Sequence, residues 1–122
     1  MYQHKVNYYE TDKMGITHHS NYIRWMEEAR VDFLDKIGYS FAKLEADGII
    51  SPVVSVDCHY KKTTSFDDVI DIDVSILEFN GVKLTLAYQM FLGDKLVCDA
   101  QSVHCFINDK GKPIRLNKEF PA

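Results

Sequence analysis

Residues 8–30 read Tyr8-Tyr9-Glu10-Thr11-Asp12-Lys13-Met14-Gly15-Ile16-Thr17-His18-His19-Ser20-Asn21-Tyr22-Ile23-Arg24-Trp25-Met26-Glu27-Glu28-Ala29-Arg30. The stretch begins as the end of a strand, passes through an acid-bearing turn at Asp12 and Gly15, and enters a helix. Tyr22, Trp25, Met26, Ala29, Phe33 and Leu34 recur there at helical spacing. A carboxylate is thereby set beside a helix N-terminus, whose unsatisfied N–H groups and partial positive charge suit a carbonyl oxygen turning into an oxyanion. That pairing suits acyl transfer. Asp with Gly three residues on is also ordinary turn chemistry, the carboxylate capping a backbone N–H.

Working outward, the helix is predicted from Ser20 to Ile37, with Ser20 or Asn21 as N-cap and Gly38 as its stop. Its other side carries Arg24, Glu27, Glu28, Arg30, Asp32 and Asp35, so it is a helix made to lie on a sheet. Residues 2–9 read as a first strand, and residues 40–47 as a short second helix closed by Gly48. Ile50–Lys62 places Ile50, Val54, Val56, Cys58 and Tyr60 on one face; Val69–Glu78 alternates Ile70, Ile72, Val74 and Ile76 against polar residues. Asn80-Gly81 is a hairpin turn leading into Val82, Leu84, Leu86, Tyr88 and Met90, and Gly93-Asp94 turns into Lys95–Ile107, with a polar turn at Asp109–Pro113. Four long strands joined largely by short turns imply an antiparallel meander, each strand beside the next, so the predicted class is α+β, a five-stranded antiparallel sheet wrapped around one long helix. Such a sheet covers the helix on one face and leaves edges unpaired, so self-association is expected.

The 122 residues suffice for a single domain, expected to span 1–122, and no linker composition suggests a second. With 46% hydrophobic and 26% charged residues the composition is globular, and a net charge of −4 argues against a general nucleic-acid binder. No apolar run is long enough for a membrane span, and the first residues lack the apolar core of a signal peptide, so the cytoplasm is the expected location. Cys58, Cys98 and Cys105 sit in strand-like stretches without metal-ligand spacing and read as small packed hydrophobes. Adjacent His18 and His19 do not share a helical face and have no acid or thiol at ligand spacing, so no metal is expected. His4, His59 and His104 read as strand residues with satisfied ring nitrogens.

Tyr8, Glu10-Thr11-Asp12, Gly15, His18-His19-Ser20-Asn21-Tyr22 and Glu28-Ala29-Arg30 together resemble the 4-hydroxybenzoyl-CoA thioesterase-like family of hotdog-fold acyl-CoA thioesterases. Tyr60, Phe66-Asp67-Asp68 and Lys112-Pro113-Ile114-Arg115-Leu116 extend the likeness over nearly the whole chain. Thr17 stands where many relatives look apolar, a change of pocket shape or polarity more than of chemistry.

The resemblance implies an acyl-CoA hydrolase without cofactor, working as a homodimer or dimer of dimers with sites shared between protomers. Asp12 would act as nucleophile on the thioester or as base for water, with His19 lining the site. Gly15, His18, Ser20, Asn21 and Tyr22 would shape the turn and the oxyanion-binding helix start. Asn21 also reads as a helix cap. Lys61, Lys62 and Arg115 could hold coenzyme A phosphates at the mouth, or be solvated charges like Lys110 and Lys112. Two other functions fit the same pattern: a thioesterase for acyl-carrier-protein substrates, and a noncatalytic acyl-CoA-binding hotdog module, which the Asp12 carboxylate speaks against.

Overall fold

The computed structural model describes residues 2–38 and 41–115. Strand β1 (Tyr2–Lys5) leads through a single 3-10 turn (Tyr8–Glu10) and the Asp12 turn into α1 (Ser20–Lys36) and a short α2 (Phe41–Ala46). Strands β2 (Val53–Tyr60), β3 (Val69–Phe79), β4 (Lys83–Leu92) and β5 (Lys95–Cys105) follow. All pairings are antiparallel, in the order β1-β3-β4-β5-β2. The wrapped five-stranded sheet is thus as expected from the alternation. Two details differ. The first strand stops at Lys5 instead of running to residue 9, because the chain must turn to bring Glu10 and Asp12 under the helix. And β2 pairs with β5, not β3: the connection at residues 61–68 is laid against the Asp12 turn through an Ile16–Ser65 bridge and cannot close a hairpin. Of the expected second helix, residue 40 lies outside the described residues.

The helix forms because its apolar residues make one stripe. Tyr22, Trp25, Met26, Ala29 and Leu34 are buried and Phe33 is half-buried; Arg24, Glu27, Glu28 and Asp35 face outward as expected, but Arg30 is buried, turned in to reach His104. Lys36 lies 3.0 Å from Asp32 one turn earlier, a cation where the helix dipole favours one, and Gly38 ends the element. Burying a Met or Leu side chain fully contributes roughly 1.5–3 kcal/mol. Trp25, with no exposed surface, is the largest of this set, and its loss would open the core under the site.

Against this stripe the sheet presents rows read from the register: Tyr2, Ile72, Met90, Cys98 and Tyr60; then Val74, Tyr88, Ala100 and Cys58; then Ile76, Leu86, Ser102 and Val56. The Asn80-Gly81 turn is confirmed, with Asn80 Oδ1 accepting the Val82 and Lys83 N–H groups at 2.9 and 2.8 Å and Gly81 at φ +91°. One hydroxyl chain threads the otherwise apolar core. Tyr88 and Ser102 hydroxyls are 2.6 Å apart, Ser102 Oγ is 2.7 Å from His104 Nε2, and Arg30 Nη1 donates to His104 Nδ1 at 3.0 Å. Burial, with the Arg30 charge, pushes His104 down to about 4, so the ring is neutral and can accept. All three cysteines are free, Cys98 fully buried and Cys58 donating to Met26 Sδ at 3.5 Å.

Strand β2 departs from its pattern: the face carrying Val54, Val56 and Tyr60 is 62%, 38% and 44% exposed. It alternates like a half-buried strand, yet it stands at the sheet edge, where α1 covers little beyond Cys58.

Candidate active site

The turn between Glu10 and Ser20 is built by its own side chains. Asp12 Oδ1 accepts the Met14 N–H at 2.8 Å and the Ile16 N–H at 3.3 Å, while the Asp12 carbonyl accepts the Gly15 N–H at 3.0 Å. This Asx-type closure needs a left-handed residue, supplied by Gly15 at φ +76°. A Cβ at Gly15 would meet nothing within 4 Å, so backbone conformation alone explains the glycine within this chain. The turn chemistry uses only one oxygen of the carboxylate. Oδ2 has no hydrogen-bond partner among the described residues, and Asp12 is exposed.

The helix start assigns its donors unequally. The His18 N–H goes to the Glu10 carbonyl at 2.9 Å, the Ser20 N–H to His18 Nδ1 at 3.2 Å, the Asn21 N–H to the His18 carbonyl at 3.0 Å and the Tyr22 N–H to the His19 carbonyl at 3.2 Å. The His19 N–H has no partner among the described residues. The N-cap is therefore His19, not Ser20 or Asn21, and the side-chain acceptor at the start is the His18 ring, which also lies 2.8 Å from Ser20 Oγ. A histidine two residues ahead of a helical N–H substitutes for the usual Ser or Asp oxygen. Asn21 instead fixes the loop, its Nδ2 donating to the carbonyls of Glu10 at 3.0 Å and His18 at 3.3 Å.

Asp12, Ile16, Thr17, His18, His19, Tyr22, Tyr60, Lys61, Lys62 and Thr63 line one open cleft of about 330 Å³. Of the residues singled out in the sequence, Asp12, His18, His19, Tyr22, Lys61 and Lys62 thus come together. Gly15, Ser20 and Asn21 are turn and helix-start residues that do not line the cleft, and neither does Arg115, which is exposed. Thr17 adds no free hydroxyl to the wall. Tyr22 Oη lies 3.0 Å from Thr64 Oγ1, which donates to Thr17 Oγ1 at 2.7 Å, and Thr17 Oγ1 donates to the Thr64 carbonyl at 3.0 Å. Its departure from the family pattern is thus matched by a partner 47 residues away.

Tyr60 carried only the resemblance, with no role. The structure packs its ring edge-on to Tyr22 (centroids 5.0 Å) and to His19 (6.1 Å), with its hydroxyl donating to the His19 carbonyl at 3.3 Å. Burial, then the neighbouring Cys58, pushes its pKa up to about 12, which keeps it a donor. Thr63 and Thr64 were missed altogether. No local signal marks them, since it is bonds to residues far away in the chain, Thr17 to Thr64, Ile16 to Ser65 and Val6 to Asp68, that bring this loop to the turn. Among the described residues no cluster of His, Cys, Asp and Glu could hold a metal ion.

A helix of this length lying in a wrapped antiparallel sheet, with an acid-bearing turn feeding its N-terminus, is the hotdog fold. The sequence profile of the thioesterase-like superfamily matches residues 6–122, and the chain belongs to that family. A hypothetical protein from Aquifex aeolicus of known crystal structure is 36% identical, with 97% of this chain and 93% of that one covered and a TM-score of 0.91. A DHNA-CoA thioesterase from Staphylococcus aureus is 33% identical over 98% of this chain and 82% of its own, also at TM-score 0.91. The 4-hydroxybenzoyl-CoA thioesterase of Pseudomonas sp. strain CBS-3 is 27% identical over 128 residues, covering 98% and 90%.

Proposed function

We propose that the protein hydrolyses acyl-CoA thioesters to the free acid and coenzyme A. The observation that carries the reading is that one cleft is lined by a carboxylate with an uncommitted oxygen, Asp12 Oδ2, and by the residue whose backbone N–H is uncommitted, His19. With the thioester carbonyl oxygen on the His19 N–H, developing negative charge meets a fixed donor at the positive end of α1. Asp12 then acts either by attacking the carbonyl carbon through Oδ2, expelling the coenzyme A thiolate before water hydrolyses the anhydride, or by taking a proton from the attacking water. Lys61 and Lys62 at the cleft wall suit the phosphates of coenzyme A. The names of the Staphylococcus and Pseudomonas relatives support a CoA thioester as substrate.

The working unit in this reading is a homodimer, or a dimer of dimers, of one hotdog domain in the cytoplasm. The exposed Val53, Val54 and Val56 on edge strand β2 support it, since an apolar open edge is a template for pairing with a second copy. The test is thiol release from a panel of acyl-CoA and matched acyl-carrier-protein substrates by wild type and Asp12→Asn. Asp12→Asn keeps size and the Oδ1 contacts but removes the charge, and kcat should fall about 10²- to 10⁴-fold with the melt unchanged. A folded Asp12→Asn protein with near wild-type kcat removes Asp12 from the chemistry.

A further inference from the structure

Two residues before Asp12 lies a carboxylate that the chemistry above leaves unused. Glu10 is 4% exposed, and every donor around it is aimed at it. Oε1 accepts the Asn7 N–H at 2.8 Å and Asn7 Nδ2 at 3.3 Å and lies 2.8 Å from His4 Nε2; Oε2 accepts the Trp25 Nε1–H at 2.8 Å. His4 Nδ1 is in turn 3.0 Å from Glu28 Oε2. The His4 ring thus lies between two carboxylates. One side chain thereby joins β1, the 3-10 turn and α1.

The main chain of the same residue runs to the site. The Glu10 carbonyl accepts the His18 N–H at 2.9 Å and Asn21 Nδ2 at 3.0 Å, and Thr11 bridges to Thr17 across the turn. Asp12 hangs two residues downstream of this anchor, and His19 follows directly on the His18 amide that it holds. We propose that Glu10 is a positioning residue that sets the distance between the Asp12 carboxylate and the His19 N–H, an inference that rests on the proposed thioesterase reading. A glutamine could not do the same. It offers one acceptor oxygen where donors approach both, so its NH₂ would face either the Trp25 N–H or the His4 and Asn7 donors. A displacement of an ångström or less between reacting groups is enough to slow chemistry while leaving the cleft able to bind.

The experiment compares Glu10→Gln, Trp25→Phe and His104→Gln with wild type in steady-state kinetics per folded molecule, and by amide NMR of the free proteins. Glu10→Gln should lower kcat about 10- to 100-fold with KM within about twofold. Trp25→Phe, which keeps an aromatic ring but drops one donor and some core volume, should lower kcat less, and the His18 and His19 amide resonances should move in both. His104→Gln loosens the core away from the turn, so kcat and those amides should stay. If wild type turns over no substrate of the panel, the thioesterase reading fails, and the amide shifts alone decide whether Glu10 holds the turn. Unmoved His18 and His19 amides, or a kcat loss matched by His104→Gln at equal loss of melting temperature, would overturn the proposal. If Glu10→Gln does not fold, Trp25→Phe carries the same two readouts.

Discussion

Two of the polar clusters buried among the described residues are built from opposite materials. Around Glu10 the cluster is charged: two carboxylates on one histidine, with an indole N–H and a backbone N–H. Around His104 the histidine is neutral and accepts from Arg30, at the end of a hydroxyl chain through Ser102 and Tyr88. The difference follows from what each has to hold. Tyr88, Ser102 and His104 sit on β4 and β5, where the ladder already fixes the backbone, so weak hydroxyl contacts suffice to satisfy buried groups. Asn7 to Asp12 have little ladder of their own, and there charge-assisted bonds, about twice as strong as neutral ones, take over the task.

The contrast breaks most visibly when the charged hub is removed. Glu10→Ala leaves the His4 nitrogen, the Asn7 N–H and the Trp25 N–H buried without their acceptor, and should cost about 3–5 kcal/mol in urea unfolding. A loss below about 1 kcal/mol would mean that water replaces the carboxylate at no cost.

Acid separates the clusters next. His104, held near 4 against an ordinary 6.5, is neutral in the fold, while the unfolded chain takes up a proton below 6.5. Its contribution is therefore complete above pH 6.5 and is lost as pH falls toward 4, in total on the order of 3 kcal/mol. Glu10 runs later. Burial raises its pKa, but the Asn7 N–H and the His4 and Trp25 contacts outweigh burial and hold it below the ordinary 4.5. Its contribution is present above 4.5 and fades only below it. Urea midpoints of wild type and His104→Gln at intervals from pH 7 to 3.5 should show the upper slope vanish in the variant and the lower slope persist. A variant that keeps the upper slope would assign that titration elsewhere.

The smallest effect concerns the hydroxyl chain. Tyr88→Phe removes one hydroxyl, while Ser102 keeps its His104 partner, so stability should drop by about 1 kcal/mol with no change in kcat. A loss above about 3 kcal/mol would show the neutral chain to be as demanding as the charged one.

The elements themselves were legible because alternation and helical spacing are local. Ile70, Ile72, Leu84, Leu86, Tyr88 and Met90 are buried where period two puts them, and Trp25, Met26 and Ala29 where the helix does. That Asp12 and His19 would lie close together was legible because a turn acid ahead of a helix start is a local pattern too. What stayed hidden is what depends on distant partners. His4 and His104 do have satisfied ring nitrogens, but nothing in the neighbouring residues names Glu28 or Arg30 as the partner. Glu10 sat inside the recognised motif without a role, since its meaning lies in Trp25 and His4. Arg115 is suggested by charge and family position, and the Asp12 cleft does not reach it.

The strand order carries one consequence for how the protein is made. β1 and β2 are the first two strands in the chain, yet they occupy opposite edges, each waiting for a neighbour that is synthesised later. β1 needs β3, and β2 needs β5, the last strand described. Asp12 and His19 lie ahead of all four of the later strands, while Tyr60, which packs against His19, belongs to β2 and shares its dependence on β5. A chain lacking β5 therefore leaves β2, and with it the Tyr60 side of the cleft, without its pairing partner.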